Sequence, residues 1–331
     1  MTSKFIHTLL LNMLLVGCNG QNSPLTGSQA AQPITVYRFD KECYRLIDTK
    51  DSTLFTQILQ DYPLMTDIIG KGILNQATPE APGFRDNLIQ FYSEPTLKQL
   101  YLDAITRYDT ISNIEQQLGN GFAFLKEQLP SLQIPKVYMH VSGLNQNVLV
   151  ADSLLSLSVD KYMGKDYPLY QEFFYDYQLQ KMQYENIVPD YLTGWLMSEY
   201  PFEGKENILL DRMVYEGKIR YILSLALPDT PAETLMGYTP EALQWCKENE
   251  TNIWNEIVKR KHLYTPDLMT TSQYFEDAPC HFLADEAPGN LGSWVGWQIV
   301  RQYMKETGAT ISSLLTNNDA QDILTQSKYK P

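Results

Sequence analysis

Residues 136–160, KVYMHVSGLNQNVLVADSLLSLSVD, decide the fold class of this chain of 331 residues. The segments 136–143 and 154–160 are rich in aliphatic, β-branched and aromatic side chains, so each predicts a β-strand. The polar residues 145–147 between them favour an antiparallel ribbon. Because helical patterns dominate the rest of the chain, the ribbon indicates an α+β fold rather than an all-helical one.

The residues before the ribbon contain one further strand and several helices. Residues 34–40 alternate in polarity and are rich in β-branched and aromatic side chains, so they predict a strand. Residues 51–73 begin with good cap residues and predict one helix. Residues 84–129 are helical in pattern, with polar breaks at 93–95 and 119–121.

The residues after the ribbon have helical spacing almost throughout. Prolines such as Pro189 and Pro240 stand at or just before helix starts, where proline is tolerated. With no long linker and no internal repeat, residues 34–331 predict a single helix-rich α+β domain with a small antiparallel sheet. The predicted helical segments are residues 170–184, 187–199, 206–226, 239–260, 290–306 and 318–326.

The first 33 residues predict export and membrane anchoring. Lys4 precedes an apolar run that is too short to span a membrane and that ends in small residues, as in a secretory signal peptide. The sequence Leu15-Val16-Gly17-Cys18 resembles the lipobox of bacterial lipoproteins. Residues 1–17 are therefore predicted to be removed, and lipid on Cys18 to hold the protein on a membrane.

A polar, uncharged tether follows at residues 18–33. It lacks the acidic residues that are associated with export of lipoproteins to the cell surface, which favours an outer-membrane protein facing the periplasm. The formal net charge of −13 argues against a nucleic-acid partner, because such binding needs clustered Lys and Arg. In an oxidising compartment, two of Cys43, Cys246 and Cys280 could pair, and the sequence leaves open which two.

Three carboxylates are candidate catalytic or pocket residues: Asp190, Asp211 and Glu216. Glu216 lies one helical turn from both Arg212 and Arg220, so it is either an ion-paired surface group or a pocket carboxylate. Gly217 beside it would permit close approach of another backbone. Asp190 also suits a helix start, where the helix dipole favours negative charge.

Motifs for metal or nucleophilic catalysis are missing. His140, His262 and His281 form no H-x-x-x-H pair, and Pro279 and Pro288 predict that His281 and Asp285 lie in a loop. The chain has no G-x-S-x-G, so Ser142-Gly143 at a strand end is only a weak indication of a nucleophile. No bound cofactor is expected.

The segment 288–304 predicts a buried packing helix rather than a ligand platform. Gly292 and Gly296 are one turn apart and would let two helices approach closely. Trp294 and Trp297 add large apolar area.

A resemblance to a known family is carried by the stretches 155–168 (LSLSVDKYMGKDYP), 209–223 (LLDRMVYEGKIRYIL), 289–304 and 327–331 (SKYKP), with Trp245-Cys246, Glu250 and Trp254. At these residues the chain resembles the gliding-motility-associated lipoproteins GldB of Bacteroidota. The resemblance implies an envelope lipoprotein that is linked to gliding by name and also occurs in relatives that do not glide. It implies protein partners in the envelope and no defined reaction.

A second similarity is to zinc-dependent peptidases, in which a ribbon precedes an H-E-x-x-H helix and then a helix bearing Glu-Gly. It would place Glu216-Gly217 at the third-ligand position and the metal helix around Asp190, where both histidines and the catalytic glutamate are absent. A hydrolytic zinc needs three protein ligands and an open position for water. This similarity implies a degenerate zincin-like fold that has lost its chemistry.

Three functions follow as hypotheses. The first is a non-catalytic envelope lipoprotein that acts through protein partners. The second is a hydrolase with an atypical metal or acid site, for which zinc would be the cofactor and Asp190, Asp211 or Glu216 the site. The third is a glycan-binding lipoprotein, because the chain contains 22 tyrosines and five tryptophans.

Overall fold

Helices carry most of the chain that the structure describes, which is residues 31–74, 78–145 and 147–331 of a computed structural model. The predicted signal peptide and the lipid anchor Cys18 lie outside these residues. Residues 31–331 form one compact unit. The helices are α1 (Phe39–Thr49), α2 (Ser52–Asp61), α3 (Pro63–Gly72), α4 (Phe84–Tyr92), α5 (Pro95–Arg107), α6 (Ser112–Gln128), α7 (Tyr170–Phe173), α8 (Asp176–Leu179), α9 (Ile187–Glu199), α10 (Leu209–Ala226), α11 (Ala232–Met236), α12 (Pro240–Glu248), α13 (Glu250–Lys259), α14 (Leu268–Gln273), α15 (Leu291–Thr307), α16 (Ile311–Thr316) and α17 (Ala320–Ser327).

The sheet has four strands, β1 (Val36–Tyr37), β2 (Lys136–His140), β3 (Val148–Ala151) and β4 (Leu154–Ser158), in the spatial order β1-β2-β4-β3. The helix-rich α+β class is thereby confirmed. Strand β4 pairs in parallel with β2 and antiparallel with β3. The predicted antiparallel pairing of the segments 136–143 and 154–160 is wrong, because the short strand β3 was not predicted and forms the hairpin with β4.

Local sequence accounts for several helix boundaries. The Asp51 carboxylate accepts a hydrogen bond from the Thr53 N–H and caps α2, as predicted. The single helix predicted over 51–73 is wrong: α2 ends before Tyr62, and α3 starts at Pro63, whose ring cannot continue a helix from the preceding turn. The predicted strand 34–40 is also shorter, since α1 begins at Phe39.

The polar break predicted at residues 119–121 lies inside α6, and the chain turns instead between Tyr108 and Ile111. The two glycines serve packing there. A Cβ on Gly119 would lie 2.2 Å from the carbonyl oxygen of Gln32, and one on Gly121 would lie 2.5 Å from Leu192. They let α6 approach residues 31–33 on one side and α9 on another.

In the C-terminal half, the prediction for 187–199 coincides with α9, and that for 206–226 gives α10 three residues too long. The segment 239–260 divides into α12 and α13, and 170–184 contains only the short helices α7 and α8. Helices α11, α14 and α16 were not predicted. They have five or six residues each, too few for a periodic pattern to emerge.

Helices α10 and α15 form the centre of the C-terminal half. Gly296 lies against the backbone of Met213, and Gly217 against the backbone of Gly296, so the close approach predicted at Gly217 is confirmed. Gly292 faces the ring of Phe275 rather than a second helix. Trp294 and Trp297 are buried in this packing, as predicted. None of the helices in the described part of the chain has the length and apolar character needed to cross a membrane.

Candidate functional site

A surface pocket of about 320 Å³ lies beside the N-terminal end of α12, and we call it the α12 pocket. Its wall is formed by α8 with the residues that follow it, by the turn between α11 and α12, and by the loop of residues 277–290 that leads into α15. This volume is at the lower end of the range for ligand pockets. The pocket therefore has room for one side chain or a small ligand.

Local sequence explains why the turn between α11 and α12 has its shape. Gly237 ends α11 in the left-handed conformation, with φ of 68°, which an L side chain rarely adopts. Thr239 then caps α12 by accepting a hydrogen bond from the Ala242 N–H, and Pro240 occupies the first helical position. The turn leaves Tyr238 facing the 277–290 loop.

Tyr238 fixes that loop to the turn. Its hydroxyl donates a hydrogen bond to the carbonyl oxygen of Gly289 at 2.8 Å. Burial raises the pKa of Tyr238 well above its ordinary value, so the hydroxyl stays protonated and remains a donor. The wall of the pocket is thus held in place before any ligand arrives.

An ion pair links the residues that follow α8 to the same loop of residues 277–290. The Lys181 Nζ lies 2.5 Å from Asp277 Oδ1, and both residues line the pocket. The aliphatic stem of Lys181 crosses Gly237, where a Cβ would lie 2.4 Å from Lys181 Cε. Glycine is favoured at position 237 by its left-handed backbone conformation, and a side chain there would also displace the stem of Lys181.

The mouth of the pocket carries exposed carboxylates. Asp176, Asp285 and Glu286 are exposed pocket residues, and no ion pair among the described residues includes them. His281 Nδ1 lies 3.0 Å from the carbonyl oxygen of Asp285, which orders the loop without using its carboxylate. The mouth is accordingly acidic.

Aromatic side chains lie next to this mouth. Tyr175 and Tyr177 stack with ring centroids 5.6 Å apart, and Tyr177 lines the pocket. Tyr175 is 70% exposed and Phe173 is 64% exposed. Exposed aromatic groups beside a pocket are typical of protein or ligand contact surfaces.

Asp190, the first predicted site residue, stands in the first turn of α9, as the helix-start interpretation requires. Its Oδ2 accepts a hydrogen bond from the Tyr162 hydroxyl at 2.6 Å. Burial raises the pKa of Asp190, while that hydrogen bond and the positive charges of Lys181 and Arg220 act in the opposite direction. Asp190 is thus electrostatically coupled to the lysine that lines the α12 pocket.

Asp211 and Glu216 lie elsewhere on α10. Asp211 Oδ2 accepts the Lys205 N–H at 2.9 Å, which ties the preceding loop to the helix. The pairing of Glu216 with Arg212 and Arg220 is not found: Arg212 pairs with Glu206 at 2.6 Å, and Arg220 donates to the Leu235 carbonyl oxygen. No hydrogen bond or ion pair between described residues joins any two of the three predicted carboxylates.

The described residues do not offer a set of ligands for a metal ion. Within the described residues, no group of three or more His, Cys, Asp and Glu side chains is arranged to hold one. His281 and Asp285 lie in a loop, as predicted, and the His281 ring nitrogen contacts the Asp285 backbone. We therefore derive no step through zinc.

Ser142, the weak nucleophile candidate, is fully buried and belongs to a structural polar cluster at the ends of β2 and β4. Its N–H donates to Asp160, whose other carboxylate oxygen accepts the Leu144 N–H at 2.7 Å. His140 is also fully buried and contacts Ser156 at 2.8 Å. Asp160 holds the loop after β2, a role that could be predicted only from its place after a strand.

Comparison with known proteins identifies the family. The family described as gliding motility protein GldB matches residues 21–331, nearly the whole chain. The chain belongs to this family. No curated protein and no solved structure matches the chain significantly.

GldB membership makes this protein a gliding-motility-associated lipoprotein of the cell envelope, as the resemblance implied. The peptidase similarity finds no support in any of these comparisons. The residues that form the α12 pocket were not predicted as a site. The signals that could have indicated it are the Gly237-Tyr238-Thr239-Pro240 turn and the exposed aromatic residues before α8.

Proposed function

We propose that this GldB family member is a non-catalytic envelope lipoprotein that holds a protein partner at the α12 pocket. Lipid on Cys18 would keep it on the periplasmic face of the outer membrane, with residues 18–33 as the tether. The observation that carries the proposal is a pocket whose walls are tied by Tyr238 and Lys181 and whose mouth adjoins exposed aromatic residues. Such preorganisation lowers the cost of ordering an interface on binding.

The distribution of carboxylates supports binding over catalysis. Catalysis by a nucleophile or a general base requires reacting groups within hydrogen-bond reach of one another. Asp190 instead accepts a hydrogen bond from Tyr162, and Asp211 holds a backbone N–H. Both contacts stabilise the fold.

Site-specific photo-crosslinking in living cells tests the proposal. A photoreactive residue at Gln180, which lines the pocket, should give a discrete crosslinked product with an envelope protein. Filling the pocket with Ala242→Trp should remove that product, because the half-buried Ala242 side chain also lines the pocket. The matched control is Thr53→Trp on the exposed face of α2, which should leave the product unchanged.

Thermal unfolding of both tryptophan variants separates loss of binding from loss of fold. A product at Gln180 that persists when a folded Ala242→Trp protein is used would contradict the proposal. The same photoreactive residue at the exposed Gln57 measures the background of random envelope contacts.

One observation favours glycan binding as a second function. The exposed ring of Tyr175, stacked on the half-buried ring of Tyr177, resembles the flat aromatic surfaces on which sugar rings pack. A glycan array should then give hits that disappear in Tyr175→Ala. A blank array with the folded protein would remove this alternative.

A further inference from the structure

We infer that the partner presents a basic segment, in which an apolar anchor residue enters the α12 pocket between flanking Lys or Arg side chains. This inference rests on the proposed function and specifies the chemistry of the partner. It is drawn from the charges at the mouth, the apolar wall and the state of the two nearby helix ends.

The charge at the mouth selects a cationic partner. Asp176, Asp285 and Glu286 carry three exposed carboxylates, and the one lysine of the lining, Lys181, is already paired with Asp277. Repulsion among these carboxylates is relieved by a partner that brings positive charge. An acidic segment would be repelled by the mouth and by the net charge of −13.

At the N-terminal starts of the two helices beside the pocket, an N–H group already has a hydrogen-bond partner within the protein. At the start of α12, Thr239 accepts the Ala242 N–H. At the start of α15, the Gly292 N–H donates to the carbonyl oxygen of Tyr274. These two N–H groups are therefore not available to an anion in the pocket.

The interior of the pocket selects an apolar anchor. Met236, Tyr238, Pro279 and Pro288 contribute apolar surface to the wall. Interfaces commonly combine an apolar core with a polar rim, and one anchor residue in a pocket carries much of the binding energy. An anchor inside this pocket would bring its neighbours along the chain to Asp285 and Glu286.

A lipid surface fits less well than a protein segment. Anionic headgroups would be repelled by the three mouth carboxylates, and polybasic rather than acidic patches bind such surfaces. A glycan could stack on Tyr175 and Tyr177, but a neutral glycan would not depend on the carboxylates. Charge dependence is therefore the property that separates a basic peptide from the other occupants.

The test uses fluorescein-labelled peptides with one central leucine. Lys-Lys-Leu-Lys-Lys is compared with Glu-Glu-Leu-Glu-Glu and with Lys-Lys-Ser-Lys-Lys, using fluorescence anisotropy on the lipid-free Cys18→Ser protein. We expect the first peptide to bind more tightly than the other two, and its affinity to fall as salt is raised. The double variant Asp285→Asn, Glu286→Gln should weaken its binding about fivefold, the loss expected for exposed ion pairs.

The control double variant Asp152→Asn, Asp229→Asn removes the same charge from exposed positions outside the pocket and should leave the affinity unchanged. Ala242→Trp should abolish binding of the leucine peptide by filling the pocket. Equal binding of the basic and acidic peptides would overturn the inference, as would equal effects of the two double variants.

The inference and the proposed function fail in different ways. If the Gln180 crosslink is lost in Ala242→Trp while the Asp285→Asn, Glu286→Gln protein binds the lysine peptide as tightly as wild type, the pocket holds a partner that is not basic, and only the inference falls. If the crosslink survives Ala242→Trp, the proposed function falls as well.

Discussion

Gly217 of α10 and Gly296 of α15 pack backbone against backbone. A Cβ on Gly217 would lie 2.2 Å from the carbonyl carbon and oxygen of Gly296, and a Cβ on Gly296 would lie 1.7 Å from the carbonyl oxygen of Met213. Contacts this short leave no room for a methyl group. The two central helices of the C-terminal half can therefore meet at this point only through glycine.

Gly296→Ala should destabilise the protein by about 3 kcal/mol or more, because the obstacle is backbone that cannot move aside. Urea unfolding measures the change. Gly194→Ala is the matched control: its new Cβ would lie 2.8 Å from Val148 Cγ1 and within 4 Å of Val148 Cβ and Leu155 Cδ1, all of them side-chain atoms. Alanine also favours the helix by about 1 kcal/mol. A Gly296→Ala protein as stable as the control would contradict the packing described.

The thiols are predicted to be unreactive in the folded protein. Cys43, Cys246 and Cys280 are free and buried, and burial raises the pKa of Cys43 and Cys246 to about 12 and that of Cys280 to about 11. Since the thiolate is the nucleophile, iodoacetamide should label none of them in native Cys18→Ser protein. Mass spectrometry should find three labels after denaturation without reductant. Two missing labels would instead reveal the disulfide that the sequence left open.

Cys18→Ser should release the protein from the membrane fraction. The lipid on Cys18 is the anchor predicted from the sequence, and stable anchoring needs more than one acyl chain. Metabolic labelling with an alkyne fatty acid should mark the wild-type protein and not the variant. A Cys18→Ser protein that stays with the membrane through a high-salt wash would show a second mode of attachment.

Patterns that extend over three or more turns were readable from the sequence, and contacts between distant segments were not. The period of α9 and α10 and the cap at Asp51 are local properties, so these elements were predicted within a few residues. Gly119 was interpreted as a helix break, because its actual role, which is close packing against Gln32, depends on a residue far away along the chain. The pairing of the β2 and β4 segments was predicted, but its parallel direction was not, because β3, which lies between them in the chain, was not recognised as a strand.

The candidate site follows the same rule. The family resemblance is carried by contiguous stretches and is confirmed, and the lipobox at residues 15–18, also contiguous, stays a prediction. The α12 pocket brings Lys181, Tyr238 and Asp277 together from segments that carry no joint motif. One of the two interpretations of Glu216 paired it with arginines one turn away, but these arginines bind Glu206 and the Leu235 carbonyl instead. Helical spacing shows which partners are within reach and does not show which other groups compete for them.

His140 should make the folded protein sensitive to mild acid. Burial lowers the pKa of its imidazole to about 3, whereas the unfolded chain takes up the proton near pH 6.5. Below about pH 6.5 the unfolded state binds more protons than the folded state, so stability falls by up to about 1.4 kcal/mol per pH unit. The stability that comes from keeping His140 neutral is fully present above pH 6.5 and is lost as the pH falls toward 3.

The variant His140→Gln isolates that effect. Buried carboxyls such as Asp40 and Asp160, whose pKa values are raised by burial, act in the opposite direction but are present in both proteins. As the pH falls from about 7 to about 4.5, the unfolding free energy of the wild type should therefore decrease relative to that of His140→Gln. A constant difference across this window would show that His140 gains its proton without unfolding.

Variants of Asp190 distinguish a carboxyl that only stabilises the fold from one that takes part in catalysis. Because burial raises its pKa, the folded protein holds a proton that the unfolded chain releases above pH 3.8, and stability falls as the pH rises through that window. Asp190→Asn keeps an oxygen that can accept the Tyr162 hydroxyl, so we expect a cost below about 1 kcal/mol and a weaker pH dependence. Asp190→Ala leaves that buried hydroxyl without its acceptor and should cost about 1–3 kcal/mol of unfolding free energy.

Crosslinking tests whether Asp190 has a role beyond stability. If Asp190 only supports the fold, Asp190→Asn will give the same Gln180 crosslinks as wild type. A folded Asp190→Asn protein that instead accumulates an uncleaved envelope protein at Gln180 would favour the hydrolase.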